Sequence, residues 1–205
     1  MKLPSHFYAI VDPSAGHDPG ELADILLEAG ARILQLRLKD AAGRDFLAAA
    51  IEIARLCRKH DAIFIVNDRV DIAMLADAHG VHLGQKDLPL EAARKIIGPG
   101  KVIGISTASV EMARTAEAGG ADYIGFGPMY PGGLKNIQRG QGLDNLRAVR
   151  AAVKIPIVAI GGITEATVPE VLAAGADAAA IITDVIKAPD IAAKVRALLA
   201  LERAR

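Results

Sequence analysis

The stretch "EAGARILQ" (residues 28–35) carries a pattern that returns as "EAGGADYIGFG" (117–127) and "AAGADAAAI" (173–181). In each, a helix-like run stops at a glycine and an apolar, strand-like run begins almost at once. Glycine readily takes the left-handed conformation that ends many helices, and connections of a few residues are typical between helix and strand in α/β units. The pattern predicts a chain built from repeated βα units.

Eight short runs fit the strands of such a repeat. They are Phe7–Val11, Ile33–Leu38, Ile63–Val66, Val81–Leu83, Val102–Ser106, Tyr123–Gly127, Ile155–Ile160 and Ala178–Ile182. Most are continuously apolar rather than alternating, which suits parallel strands covered by helices. Helical patterns lie between them. "PGELADILLEAGA" stops at Gly30, and "DFLAAAIEIARLCRKH" opens on Asp45 as a plausible N-cap and closes on cations that suit its C-terminal dipole. "SVEMARTAEAGGA" opens on Ser109, "ATVPEVLAAGA" stops at Gly175, and "IAAKVRALLALERAR" reads as an amphipathic closing helix.

No linker or composition shift interrupts this rhythm. The expectation is a compact, single-domain (β/α)8 TIM barrel over residues 1–205. The competing architecture is an open doubly wound sheet. Eight strands crowd one small open sheet. The glycine motifs also fall late in the chain, whereas a dinucleotide fingerprint follows the first strand.

Composition narrows the function. Lys+Arg and Asp+Glu balance at 24 each, so no basic nucleic-acid footprint is expected. Hydrophobic residues make up 52%, aromatics only 3%, so the core is built from Ala, Val, Ile and Leu. No apolar run is long enough to span a bilayer, and the first residues lack the apolar segment of a secretory signal. A soluble, cytoplasmic protein is expected. Cys57 is the only cysteine, which excludes an internal disulfide. Its helix-like surroundings suggest a buried inert thiol, with a nucleophile as the alternative.

In a barrel of this kind the carboxyl ends of the strands converge on one mouth. The second strand delivers Gln35, Arg37 and Lys39, which alternation places on one face. The third delivers Asn67 and Asp68, the fourth Asp87, the fifth Ser106. The sixth leads into a long loop carrying Lys135 and Arg139; the seventh ends in Gly161-Gly162 and the eighth in Thr183. Asp68 and Asp87 suit Mg²⁺, which binds one or two carboxylates with waters and substrate phosphates. Arg37, Lys39 and Lys135 can neutralise phosphate oxygens. Backbone amides at Gly161-Gly162, before a helix N-terminus, can take a second phosphate. Blander readings stand beside these. Asp71 can be a helix N-cap with Asp68 part of a turn. Gln35 and Arg37 can bridge within the barrel. His82, between Val81 and Leu83, can be a satisfied core histidine.

These residues resemble the thiamine phosphate synthases over almost the whole chain. The most specific matches are "QLRLK" (35–39), "IVNDRVDIA" (65–73), "GVHLGQKDLP" (80–89), "IGIS" (103–106), "DYIGFGPMYP" (122–131) and "VAIGGIT" (158–164). The resemblance implies condensation of a hydroxymethylpyrimidine diphosphate with a thiazole phosphate, releasing pyrophosphate. It implies that Gln35, Arg37, Lys39, Asn67, Ser106 and Lys135 hold the diphosphate substrate, with Gln35 reading the aminopyrimidine. It places Mg²⁺ on Asp68 and Asp87. Gly161 and Gly162, with Ile182 and Thr183, fall to the thiazole phosphate. Four places depart from the family pattern. Gly132-Gly133-Leu134 replaces a Thr-x-Thr, Leu38 replaces a common acidic residue, and Ala108 replaces a common histidine; the loop around Arg139 and Gln141 also differs. Two other readings remain: a thiazole tautomerase-like isomerase, which Ala108 disfavours, and a non-catalytic phospho-ligand-binding barrel. No nucleic-acid or membrane partner is expected, and a homo-oligomer stays open.

Overall fold

The computed structural model describes residues 2–132 and 138–201. Eight parallel strands form one closed barrel in sequence order. They are β1 (Phe7–Val11), β2 (Ile33–Leu36), β3 (Ile63–Asn67), β4 (Gly80–Leu83), β5 (Val102–Thr107), β6 (Tyr123–Phe126), β7 (Ile157–Ile160) and β8 (Ala178–Ile181). The sheet closes where β8 pairs with β1, Tyr8 opposite Ala180. The expected fold is the observed one. No described helix is long and apolar enough to cross a membrane.

Around the barrel run α1 (Pro19–Glu28), α2 (Gly43–Lys59), α3 (Val70–Leu75), α4 (Leu90–Ile97) and α5 (Val110–Ala118). The ring continues with α6 (Gly142–Ala152), α7 (Val168–Ala173), α8 (Thr183–Ile186) and α9 (Ile191–Ala200). The main core lies between strands and helices: Phe7, Leu34, Phe64 and Phe126 face outward against Leu22, Ile53 and Leu146. A smaller cluster fills the barrel itself, with Tyr8, Ile10, Ile33, Tyr123, Val158, Ala178 and Ala180. The strands thus bury both faces, which explains their unbroken apolar runs.

Four strands are shorter than read, β6 and β8 by one residue and β2 and β7 by two. β2 ends at Leu36 rather than Leu38, since Arg37 N–H makes the last bond to β1, at Val11 O, before Asp12-Pro13 turns away. β7 begins at Ile157 rather than Ile155, because Pro156 accepts from Ile124 N–H but has no N–H to donate. Ser109 caps α5 as expected, accepting from Met112 N–H at 3.2 Å. Asp45 does not cap α2. Ala42 holds that position without a side-chain bond, and Asp45 sits in the first turn, where a carboxylate still suits the dipole. The described part of the closing helix ends at Ala200, and residues 202–205 lie outside it.

The glycine turns are Schellman motifs. Gly30, Gly120 and Gly175 have φ of 108°, 87° and 107°. The following alanine N–H reaches back to the carbonyl of Leu26, Ala116 and Val171 respectively. Two more copies use aspartate instead. Asp61 (φ 51°) and Asp77 (φ 49°) turn the ends of α2 and α3, with Ala62 and Ala78 bonding back in the same way. Aspartate tolerates this conformation better than most side chains. All five alanines are buried.

Three of these turns then tie back to the preceding strand. His79 Nδ1 accepts from Phe64 N–H at 3.0 Å, and Asp122 and Asp177 accept from Ile103 and Ile157 N–H at 2.8 Å each. Burial lowers the pKa of His79, which keeps its ring a neutral acceptor. Asp122 also accepts from Arg94 Nη2 at 2.6 Å. Asp122→Ala is expected to lower stability by about 1–2 kcal/mol, read as a reduced urea midpoint with unchanged m. An unchanged midpoint would mean these bonds add nothing to the fold.

Candidate active site

The carboxyl ends of the strands surround a cavity of about 780 Å³. Its walls include Gln35, Arg37 and Lys39 from the end of β2, Asn67 and Asp68 from β3, Asp87 after β4 and Ser106 on β5. Across from them lie Gly161, Gly162, Ile182 and Thr183. Every expected site residue within the described part of the chain therefore meets in one place. Lys135, with Gly133 and Leu134 of the altered loop, lies outside the described residues.

On the first side, charge is arranged around two carboxylates. Asp68 takes a left-handed backbone (φ 65°), and its N–H donates to His82 O at 2.8 Å. A non-glycine residue held in that region marks a place where the fold imposes the conformation. Here it turns the chain between β3 and α3 while Asp68 pairs with Lys39. Asp71 is not the helix N-cap. Arg69 holds that position, and Asp71 pairs with the Arg69 side chain at 2.5 Å, outside the cavity wall. Asp87 Oδ2 accepts from Gly84 N–H at 2.7 Å. Burial raises the Asp87 carboxyl above its ordinary value, and the nearby Asp68 carboxylate adds to the rise against the pull of the Gly84 N–H. Asp87 with the Asp68 carboxylate beside it, in a rim that also holds Lys39, suits a divalent cation. Arg37 has a fixed partner: its Nη1 donates to buried Asp12 at 2.5 Å. The barrel-bridging reading is therefore correct for Arg37, although the residue also lines the cavity.

The opposite side is built from backbone. Gly161 and Gly162 have φ of 100° and 68°. A Cβ at Gly161 would lie 2.7 Å from Pro128 Cα, and one at Gly162 would lie 2.9 Å from Tyr130 and Pro131 O. Only glycine fits both the turn and the loop packed on it. The helix N-terminus expected there differs. A 3-10 turn (Glu165–Thr167) precedes α7, and its leading donors are used: Thr164 N–H by Thr167 and Glu165 N–H by Asp184, each at 3.0 Å. Any anion on this side must therefore use backbone ahead of Thr164 or the start of α8.

The floor adds two tyrosines, Tyr8 and Tyr123, that the sequence did not mark. Gln35 Nε2 donates to Tyr8 Oη, which lies against Tyr123 Oη; Tyr123 Oη meets His82 Nδ1, and His82 Nε2 meets Ser106 Oγ, each at 2.9 Å. Burial pushes Tyr8 up to about 12, raises Tyr123 well above its ordinary value, and lowers His82 to about 4. His82 is a satisfied core histidine, as its apolar neighbours suggested, and it also forms part of the cavity wall. Among the described residues no other histidine lines the cavity, and Ala108 offers no imidazole. Cys57 is buried in α2 and pushed up to about 12, so it is no nucleophile. A signal was available: "FYAIV" and "DYIGFG" each place a tyrosine inside a strand, in a chain that has only three tyrosines.

Fold and site together define a barrel enzyme for small-molecule substrates. A family model described as thiamine monophosphate synthase matches residues 7–185. A thiamine-phosphate synthase of Methanospirillum hungatei JF-1 is 50% identical over 188 residues, covering 91% of this chain and 90% of that one. Another, from Chlorobium phaeobacteroides, is 44% identical over 196 residues and 95% of each chain. The solved thiamine phosphate pyrophosphorylase of Pyrococcus furiosus superposes with a TM-score of 0.90 at 39% identity, covering 97% of this chain and 95% of that one. The chain belongs to the thiamine monophosphate synthase family.

The carboxylate pair makes a direct prediction. Asp68→Asn removes one negative neighbour from Asp87 and keeps a side chain that tolerates positive φ. Ionisation of Asp87 becomes easier, so its pKa falls toward the ordinary carboxylate value but stays above it, because burial persists. Carboxyl ¹³C titration by NMR reads the shift. No change would show that the two groups do not sense each other.

Proposed function

We propose that this chain condenses 4-amino-2-methyl-5-hydroxymethylpyrimidine diphosphate with thiazole phosphate, giving thiamine phosphate and pyrophosphate. Family membership supports the reaction class. The observation that carries the residue assignment is one cavity with a charged rim on one side and a glycine turn on the other. Gln35 recognises the aminopyrimidine, with Asn67 beside it. Arg37, Lys39, Ser106 and Lys135 contact the diphosphate. Asp68 and Asp87 would hold Mg²⁺, which when bound supplies positive charge to the pyrophosphate oxygens. Gly161, Gly162, Ile182 and Thr183 cradle the thiazole phosphate through backbone N–H groups and the threonine hydroxyl.

The reaction suits such a site. The bond between the pyrimidine methylene carbon and the diphosphate oxygen breaks, and its electron pair leaves with pyrophosphate. The electron-rich pyrimidine stabilises the methylene cation, and the thiazole nitrogen lone pair forms the new C–N bond. No proton need move and no protein nucleophile is required. What the chain contributes is position and preorganised charge where the leaving group gains it. Hydroxyls are absent at Gly132, so recognition of the second phosphate falls more heavily on the turn at Gly161-Gly162.

The test supplies both substrates with Mg²⁺ and follows thiamine phosphate and pyrophosphate, expected in equal amounts. Retained binding of both ligands with no product would reduce the protein to a phospho-ligand-binding barrel. Asp68→Asn is expected to lower kcat by about 100-fold or more, with melting temperature nearly unchanged and a higher Mg²⁺ requirement. Full activity in that variant would remove Asp68 from the metal site.

A further inference from the structure

The polar chain across the barrel floor runs through five strands: Gln35 on β2, Tyr8 on β1, Tyr123 on β6, His82 on β4 and Ser106 on β5. Space has been cleared for it. A Cβ at Gly104 would lie 2.1 Å from Tyr123 Cζ, and one at Gly125 would lie 3.0 Å from His82 Cε1. Gln35, Tyr8 and Tyr123 are at most 5% exposed, so their hydrogen bonds cannot be exchanged freely for water.

Counting protons gives the chain a direction. Each hydroxyl has one proton, and the neutral imidazole has one. With Gln35 Nε2 donating to Tyr8, the buried Tyr8 proton has no acceptor other than Tyr123 Oη among the described residues, so Tyr8 donates to Tyr123 and Tyr123 to His82 Nδ1. His82 then carries its proton on Nε2 and donates to Ser106 Oγ. Ser106 Oγ–H is left over. Among the described residues no acceptor takes it, and Ser106 faces the cavity. The reverse direction would need Gln35 turned over, His82 protonated on Nδ1, and the Ser106 proton withdrawn toward His82.

We infer that Tyr8, Tyr123 and His82 are positioning residues whose one-way hydrogen-bond chain commits Ser106 to donate into the cavity and Gln35 to present its carbonyl oxygen there. The two ends select opposite chemistry. At Ser106 the site takes an anionic oxygen such as a phosphoryl oxygen. At Gln35 it takes an N–H donor such as a ring amine. The substrate identities rest on the proposed function; the direction of the chain does not.

The experiment is long-range ¹H–¹⁵N NMR of the histidine-labelled full chain at neutral pH, with His82 assigned by comparison with His82→Gln. The expected spectrum is the Nε2–H tautomer in the free enzyme. The Nδ1–H tautomer overturns the inference, and this result does not depend on activity. Tyr123→Phe removes the donor to Nδ1. It should disturb that tautomer and lower kcat for thiamine phosphate formation about tenfold or more. Tyr8→Phe leaves the Tyr123–His82 link in place. It should keep the Nε2–H signal while freeing the Gln35 amide, so its effect appears as a raised KM for the pyrimidine diphosphate. A Tyr123→Phe protein with an unaltered tautomer, or a Tyr8→Phe protein disturbed as much as Tyr123→Phe, overturns the direction. If the native chain makes no thiamine phosphate yet shows the Nε2–H tautomer, the proposed reaction fails and the chain's direction stands.

Discussion

The pairing of β8 with β1 is the constraint on which the site depends. Neighbouring strands lie about 4.8 Å apart, so β3 and β7 in an open sheet would be about 19 Å apart. Asp68 would then sit on one flank and Gly161-Gly162 on the other. Closure through Phe7, Tyr8 and Ala9 bends the two flanks round to face each other across one cavity. The same pairing sets the interior. Tyr8 stands opposite Ala180, and the small side chains of Ala178 and Ala180 leave room for the tyrosine rings.

Most of the fold was legible because it rests on local signals. A helix that ends in a left-handed turn announces itself through glycine, and three Schellman turns did so. The same turns at Asp61 and Asp77 were hidden, because aspartate there has many other uses. Ladder ends were misjudged where proline decided them, at Pro13 and Pro156, since whether a strand continues depends on its neighbour's donors and carbonyls. Asp45 and Asp71 looked like caps because their residue type fits; the observed helices begin two residues or one residue earlier.

The site divides the same way. Charged and glycine residues at strand ends stood out because they break apolar runs. Asp12 did not, because an aspartate before a proline at a strand end fits an ordinary turn; only the fold brings Arg37 to it. Tyr8 and Tyr123 fit their strands without violating any pattern and His82 reads as an ordinary core histidine, so it is their mutual distances that join them. Charge is distributed unevenly. At the amino-terminal rim, His79, Asp122 and Asp177 satisfy strand N–H groups. At the cavity rim, Asp68 pairs with Lys39 and Asp87 resists ionisation. Stability is concentrated at one end of the barrel and electrostatic tension at the other.

That separation also explains why the barrel floor is polar yet uncharged. An ion at the depth of Tyr123 would lose its hydration with nothing equivalent in return, whereas hydroxyls and a neutral imidazole need only one another. The ions stay where water can reach at least one partner: Lys39 and Asp68 are 44% and 23% exposed, Arg37 20%. A neutral chain can still carry information, because a hydrogen bond has a direction even where it has no charge. Orientation can therefore pass from β2 to β5 through the interior of the barrel, while the charges that meet a ligand remain at its mouth.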